Sequence, residues 1–180
     1  MIFMIVYLFC VIAAVGLGVL AGWSDFRGMT IPNYIVVFVL AAFFIACGAA
    51  HLGGAEGVLP ARTHLVGGIL MLAATFVMYA LKAIGGGDSK LAAAFSFWFG
   101  TQGLVVFLSY MVFAGGLLAL AALYLKKKQP VASPAEGSWI ARVQGGESVV
   151  PYGIPIALGA FAAFIKLGYF APETLKLFLE

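Results

Sequence analysis

The chain has 180 residues, 64% of them apolar and only 9% charged, a balance that excludes an ordinary soluble domain of this size. The net charge of +3 argues against nucleic acid as a partner. Backbone groups in lipid must be paired within the chain, and the apolar runs are continuous rather than alternating, so they read as helices crossing a bilayer, not as barrel strands. The expected class is all-α and polytopic, with about six transmembrane helices in a single integral membrane domain over 1–180.

The first run, Ile2 to Gly22, ends at WSDFRG, where Trp23 suits the membrane interface and Asp25 and Arg27 break the apolar stretch. It has no basic leading segment and reads as a retained span rather than a signal peptide. Within it Ala14, Gly18 and Gly22 recur every four residues, either a ridge for close helix approach or ordinary membrane composition. Thr30 is a candidate N-cap, Pro32 an early helical proline, and a second span follows from Ile31 to about Ala50. A glycine-rich loop, 51–62, leads to a third span, His64 to about Leu81.

After GGGDSK come 35 uncharged residues, Leu91 to Leu125, too many for one span and few for two. The turn signal Gly100-Thr101-Gln102-Gly103 divides them, and the fourth helix reaches useful length only if it starts near Asp88 or earlier. The fifth span is Leu104 to Leu125. A polar loop over 126–150, opened by three lysines, precedes a sixth span from Tyr152 to about Phe170, in which Lys166 can snorkel.

Six spans put Arg27, Lys82, Lys90, Lys126, Lys127, Lys128 and Arg142 on one side, and Arg62, Lys166 and Lys176 toward the other. The bias makes the first side cytoplasmic, with the 126–150 loop and both Asp25 and Asp88 there and both termini outside. His51 and His64 fall on the opposite side, and Cys10 and Cys47 lie inside apolar runs with no CxxC, so no metal site is expected.

Asp25 and Asp88 are the acidic residues at span ends that meet on one membrane face; the other five are in loops or the tail. An ionisable group near the apolar layer is costly, which makes function the first hypothesis. Two facing carboxyl groups share one proton: the ionised one activates water while the protonated one polarises a scissile carbonyl. Position alone leaves plainer readings open, Asp88 as the N-cap of the fourth helix and Asp25 as a solvated loop residue beside Arg27. Gly85, Gly86 and Gly87 either admit a peptide backbone and a positive φ or merely end a helix. Lys90 and Arg27 either steady the anionic pair or anchor the interface, and Phe95, Phe97, Trp98 and Phe99 face lipid or pack.

WSDFRGMTIPN followed by GGGDSKL resembles the paired signature of type IV prepilin leader peptidases, which are GxGD-type membrane aspartyl proteases. The first element is Asp25 with Ile31-Pro32-Asn33; the second is Gly85, Gly87 and Asp88, with Lys90 two residues on. The late Pro151-Tyr152-Gly153-Ile154-Pro155 is similar to the element opening the family's final span. Larger family members carry an additional cysteine-rich cytoplasmic segment tied to N-methylation, not found in this sequence. The compact form resembles the peptidase of tight-adherence (Flp) pilus systems and, more distantly, archaeal preflagellin peptidases and the GxGD core of presenilin-like proteases.

The resemblance implies a multi-pass inner-membrane endopeptidase with Asp25 and Asp88 catalytic and Gly85, Gly87, Lys90, Pro32 and Asn33 in support. It implies cleavage of the short basic leader from prepilin or pseudopilin precursors at the cytoplasmic face, after a glycine that precedes the pilin's hydrophobic helix, without metal or organic cofactor. Two other classes fit the composition: a small transporter or channel component using the two aspartates for cations or protons, and a structural subunit of a secretion machine with the aspartates as caps.

Overall fold

The computed structural model describes residues 1–179, and regular structure among them is helical throughout. Helix α1 covers Ile2–Gly28, α2 Asn33–Leu52, α3 Ala61–Ala80, α4 Gly86–Lys128, α5 Trp139–Gln144, α6 Gly153–Lys166 and α7 Pro172–Lys176, with a short 3-10 turn at Glu56–Val58. Helices α1 to α4 are long and apolar enough to cross a membrane, and α6 is a shorter apolar helix. The chain is thus an all-α polytopic membrane protein, as its composition requires.

Helix α4 is counted as one element of 43 residues, yet it is two rods joined at Gly100, whose φ of 58° and ψ of −175° are not helical. The rings of Phe99 and Phe107 have centroids 5.2 Å apart. Eight residues of continuous helix would separate them by about 12 Å, so the chain doubles back at Gly100. The rod 86–99 runs down against α3, and the rod 101–128 returns against α6. This resolves the length puzzle of the uncharged stretch: the fourth helix is short, about 21 Å, and starts at Gly86.

Small residues set these contacts. A Cβ on Gly67 of α3 would lie 2.6 Å from the Gly100 carbonyl carbon, and one on Gly68 would lie 2.4 Å from the Phe97 ring. The ridge in α1 also faces other helices, with less demand for space: a Cβ would lie 3.1 Å from the Phe95 ring at Gly18 and 3.4 Å from the Ile154 Cα at Gly22. Ala14 is fully buried, Gly18 receives Phe95 and Ala157, and Gly22 meets the backbone of Gly153 and Ile154. Trp98, Phe43, Phe95, Phe99, Phe107, Phe164 and Tyr169 form a buried aromatic centre, so the aromatic run 95–99 packs inward. Its polar edges are satisfied: Trp98 Nε1 donates to the Val39 carbonyl at 3.1 Å, and the Tyr169 hydroxyl donates to the Trp98 carbonyl.

Four expectations are corrected. Helix α1 does not stop at Gly22 but runs to Gly28, so Asp25 sits on a helix rather than in a loop; the end comes at Met29, whose left-handed conformation (φ 53°) lets its N–H reach the Asp25 carbonyl at 2.8 Å. Thr30 does not cap α2, which begins at Asn33 after Pro32 in extended conformation. The sixth span closes as a helix at Lys166, because Gly168 at φ 75° turns the chain so that its N–H bonds the Ile165 carbonyl and that of Tyr169 bonds the Phe164 carbonyl. Finally, the segment 126–150 is not a free loop. Ser138 caps α5, and Trp139 and Val143 pack on Ala122 and Phe26, clamping the segment over the ends of α1 and α4.

Gly100→Ala should destabilise the protein by about 1–3 kcal/mol, since its φ/ψ region is essentially glycine-only. Gly116→Ala, at an exposed helical position with nothing within 4 Å of the new methyl, should be neutral or slightly stabilising. Denaturation midpoints of the two variants in one detergent check the pair.

Candidate active site

Asp25 occupies the last turn of α1 and is 5% exposed. Its Oδ2 accepts a hydrogen bond of 2.8 Å from the backbone N–H of Gly153, the first residue of α6. The contact joins residues at opposite ends of the chain because α1 and α6 approach closely where Gly22 lies against Gly153 and Ile154. Asp88 stands in the first turn of α4, half-buried. Asp25 and Asp88 line one cavity of about 680 Å³.

The three glycines before Asp88 offer space rather than a positive φ, which none of them has. A Cβ on Gly85 would lie 2.8 Å from Asp88 Oδ2, one on Gly86 would lie 3.2 Å from the Tyr79 ring, and one on Gly87 would lie 3.2 Å from Ile31 Cβ. The left-handed residue of this turn is instead Lys82, at φ 58°. It ends α3 by directing its own N–H to the Tyr79 carbonyl and that of Ala83 to the Met78 carbonyl. A lysine there costs roughly 1–2 kcal/mol relative to glycine.

The two sequence elements touch. Ile31 packs on Gly87, and Lys90 Nζ donates to Asn33 Oδ1 at 3.2 Å. Lys90 therefore ties the start of α2 to the first turn of α4 and does not point at the carboxyl pair. Pro32 holds the extended link that carries Ile31 into the cavity wall. Arg27 lies over the Trp23 ring, 5.1 Å from its centroid, and does not line the cavity. His51 pairs with Glu56 at 2.8 Å, and buried His64 holds the Phe97 carbonyl at 2.8 Å through Nδ1; both are away from the aspartates.

The rest of the cavity wall was not foreseen as part of a site. Lys82, Arg142, Ser148 and Tyr152 all line it. Arg142 is held by Glu147, with 2.9 Å from Nε and 2.7 Å from a terminal nitrogen to the same oxygen, and Ser148 accepts from Lys126 at 2.9 Å. Neither residue stands in a motif. The signal for them is indirect: Ser138-Trp139, an N-cap followed by a large apolar residue, marks a short helix able to dock beside the bilayer.

The description "type IV leader peptidase family" fits residues 11–120, more than half of the chain and both aspartates included. The chain belongs to that family. A prepilin leader peptidase/N-methyltransferase of Bacillus subtilis (strain 168) is 30% identical over 164 residues, covering 84% of this chain and 62% of that protein. This leader peptidase family member thus spans somewhat less than two thirds of the length of that relative. No solved structure matches it. The family match ends at Leu120, so Arg142 and Gly153, which complete the cavity wall and the Asp25 contact, lie beyond it.

A double-mutant cycle on Asn33→Ala and Lys90→Met, read from detergent unfolding, should give a coupling of about 0.5–1 kcal/mol, the size expected of one exposed charge-assisted hydrogen bond. Simple additivity would remove the tie between the two elements.

Proposed function

We propose that the chain is a membrane aspartic endopeptidase that removes the short basic leader from prepilin or pseudopilin precursors, with Asp25 and Asp88 as its catalytic pair. The observation that carries this reading is that two aspartates remote in sequence line one cavity beside a glycine-rich turn, in a chain of the leader peptidase family. Family membership favours it over the transporter and structural-subunit readings.

The chemistry follows from the arrangement. A cavity of about 680 Å³ suits a short extended peptide rather than a folded domain. Gly85 to Gly87 carry no side chains to hold such a peptide off the wall. The ionised carboxylate takes a proton from water as its oxygen attacks the scissile carbonyl carbon, while the protonated carboxyl hydrogen-bonds the carbonyl oxygen that gains charge. Collapse of the tetrahedral adduct breaks the C–N bond, and a proton passes to the leaving amine. The scheme uses two carboxyl groups and a water, with no metal or organic cofactor.

The basic residues at the cavity end make that end cytoplasmic and the protein a multi-pass component of the inner membrane. A substrate whose apolar helix lies in the same bilayer presents its leader at that depth. Supporting this sidedness, Lys82 and Arg142 line the cavity and Lys126 is bonded to its rim at Ser148. A reporter fused near Gln129 should be cytoplasmic and one near Ala55 external; the reverse pattern would take the aspartates away from the leaders.

The decisive experiment is cleavage of purified prepilins, with products read by mass spectrometry, by wild type, Asp25→Asn, Asp88→Asn and the double variant. Each single change should cost on the order of 10³-fold or more in rate, and the double variant should be hardly worse, because the two groups act as a unit. Stability should fall by no more than ~1 kcal/mol, the scale of a helix-cap change. Glu56→Gln, at the opposite end, should leave cleavage intact. Near-normal processing by either single variant would overturn the assignment.

A further inference from the structure

We infer that Gly153 is a positioning residue for catalysis, and that docking of the α6 N-terminus on α1 is what assembles the Asp25 half of the catalytic pair. The inference rests on the proposed catalytic role of Asp25 and extends the site into a part of the chain outside the matched family region.

Three observations converge on this backbone position. Among the described residues, hydrogen bonds to the Asp25 carboxylate come from the Gly153 N–H alone, and neither aspartate is in an ion pair. The donor is one of the first N–H groups of a 14-residue helix, which have no partner within the helix and carry its partial positive charge. There is no room for a side chain: a Cβ on Gly153 would lie 2.9 Å from Asp25 Cβ, 3.1 Å from Asp25 Oδ2 and 3.2 Å from the Ala21 carbonyl oxygen.

The bond engages one oxygen, Oδ2, of a residue that lines the cavity. It also fixes the side chain against the rigid end of α6 rather than leaving it to the last turn of α1. Asp88 has a different support, its own first turn with Gly85 beneath it. The two carboxyl groups are thus held by separate devices, one local to a helix start and one tertiary. The tertiary one requires glycine on the α6 side, at Gly153; on the α1 side a Cβ at Gly22 would find ordinary contact, 3.4 Å from the Ile154 Cα.

The test compares two glycines of the same helix. A Cβ on Gly159 would lie 2.9 Å from Met111 Cβ and from the Phe107 carbonyl oxygen, a packing insult as severe as that at Gly153 but remote from Asp25. Gly153→Ala and Gly159→Ala are assayed for prepilin cleavage at temperatures equally far below their unfolding midpoints. For Gly153→Ala, kcat should fall on the order of 100-fold with KM little changed, the effect of misplacing a reacting group by about 1 Å. Gly159→Ala should retain kcat within about threefold. Equal losses in the two variants, or a normal kcat in Gly153→Ala, would overturn the inference.

A second measurement needs neither substrate nor a foldable Gly153 variant. The amide proton of Gly153, observed by NMR in micelles, should lie downfield and move upfield on Asp25→Asn, and less on Asp88→Asn. An unresponsive resonance would also overturn the inference. If prepilins are not cleaved at all while the resonance responds as expected, the functional proposal fails and the contact stands.

Discussion

The approach of α6 to α1 at Gly22 and Gly153 is the contact on which the cavity depends. In a bilayer no hydrophobic gain favours helix against helix over helix against lipid, so association rests on close packing and interhelical hydrogen bonds. Here both operate at one place: Gly153, with no room for a Cβ, lies against Asp25 and the Ala21 carbonyl, and that proximity brings its N–H to a carboxylate at 2.8 Å. A buried carboxyl group without a donor would be expensive in this setting. The same bond that satisfies Asp25 therefore holds the two helices in register.

The second constraint is the reversal at Gly100. An unbroken helix of 43 residues would measure about 65 Å, twice the apolar thickness of a bilayer. Doubling back solves the length and leaves the rod 86–99 short, so that Asp88, at its start, sits at a depth reachable from the end of α1. Non-helical backbone inside a membrane is tolerated where protein covers it. The covering is provided by Gly67 and by Thr63 and His64 of α3, all within close contact of Gly100. His64, which the sequence places on the side away from the aspartates, serves this fold-defining end, its ring bonded to the Phe97 carbonyl.

The segment 126–150 shows how a polar stretch contributes to a membrane-embedded site without crossing the membrane. Its small apolar core, Trp139 and Val143 against Ala122, with the Phe26 ring tilted against Trp139, is anchored on the ends of two spanning helices. Gln129 Nε2 donates to the Gln144 carbonyl, and reciprocal bonds between the Gln144 side chain and the Val131 backbone close its neck. That framework carries Arg142 and Ser148 to the cavity wall, and pairing with Glu147 holds the arginine in place.

The sequence by itself determined the solvent, the class and the spans, because long uncharged runs have one physical outcome in lipid: helices whose backbone groups are internally paired. It also marked Asp25 and Asp88, since carboxyl groups are conspicuous where charge is otherwise scarce, and their glycine, proline and asparagine neighbours fell into two recognisable elements. What those neighbours do was decided only in three dimensions. Lys90 reaches Asn33 rather than the carboxyl pair, and Gly85 to Gly87 supply room rather than positive φ, a strain that falls on Lys82 instead. The end of α1 beyond Gly22, the early close of α6 at Gly168 and the ordered cap over 126–150 were likewise outside the reach of composition. Each turns on a contact between segments remote in sequence or on one left-handed residue, and hydropathy averages over both. The contact between Asp25 and Gly153 is the clearest case: a backbone N–H is identical at every position, and only the packing of α6 on α1 selects the one that faces the carboxylate.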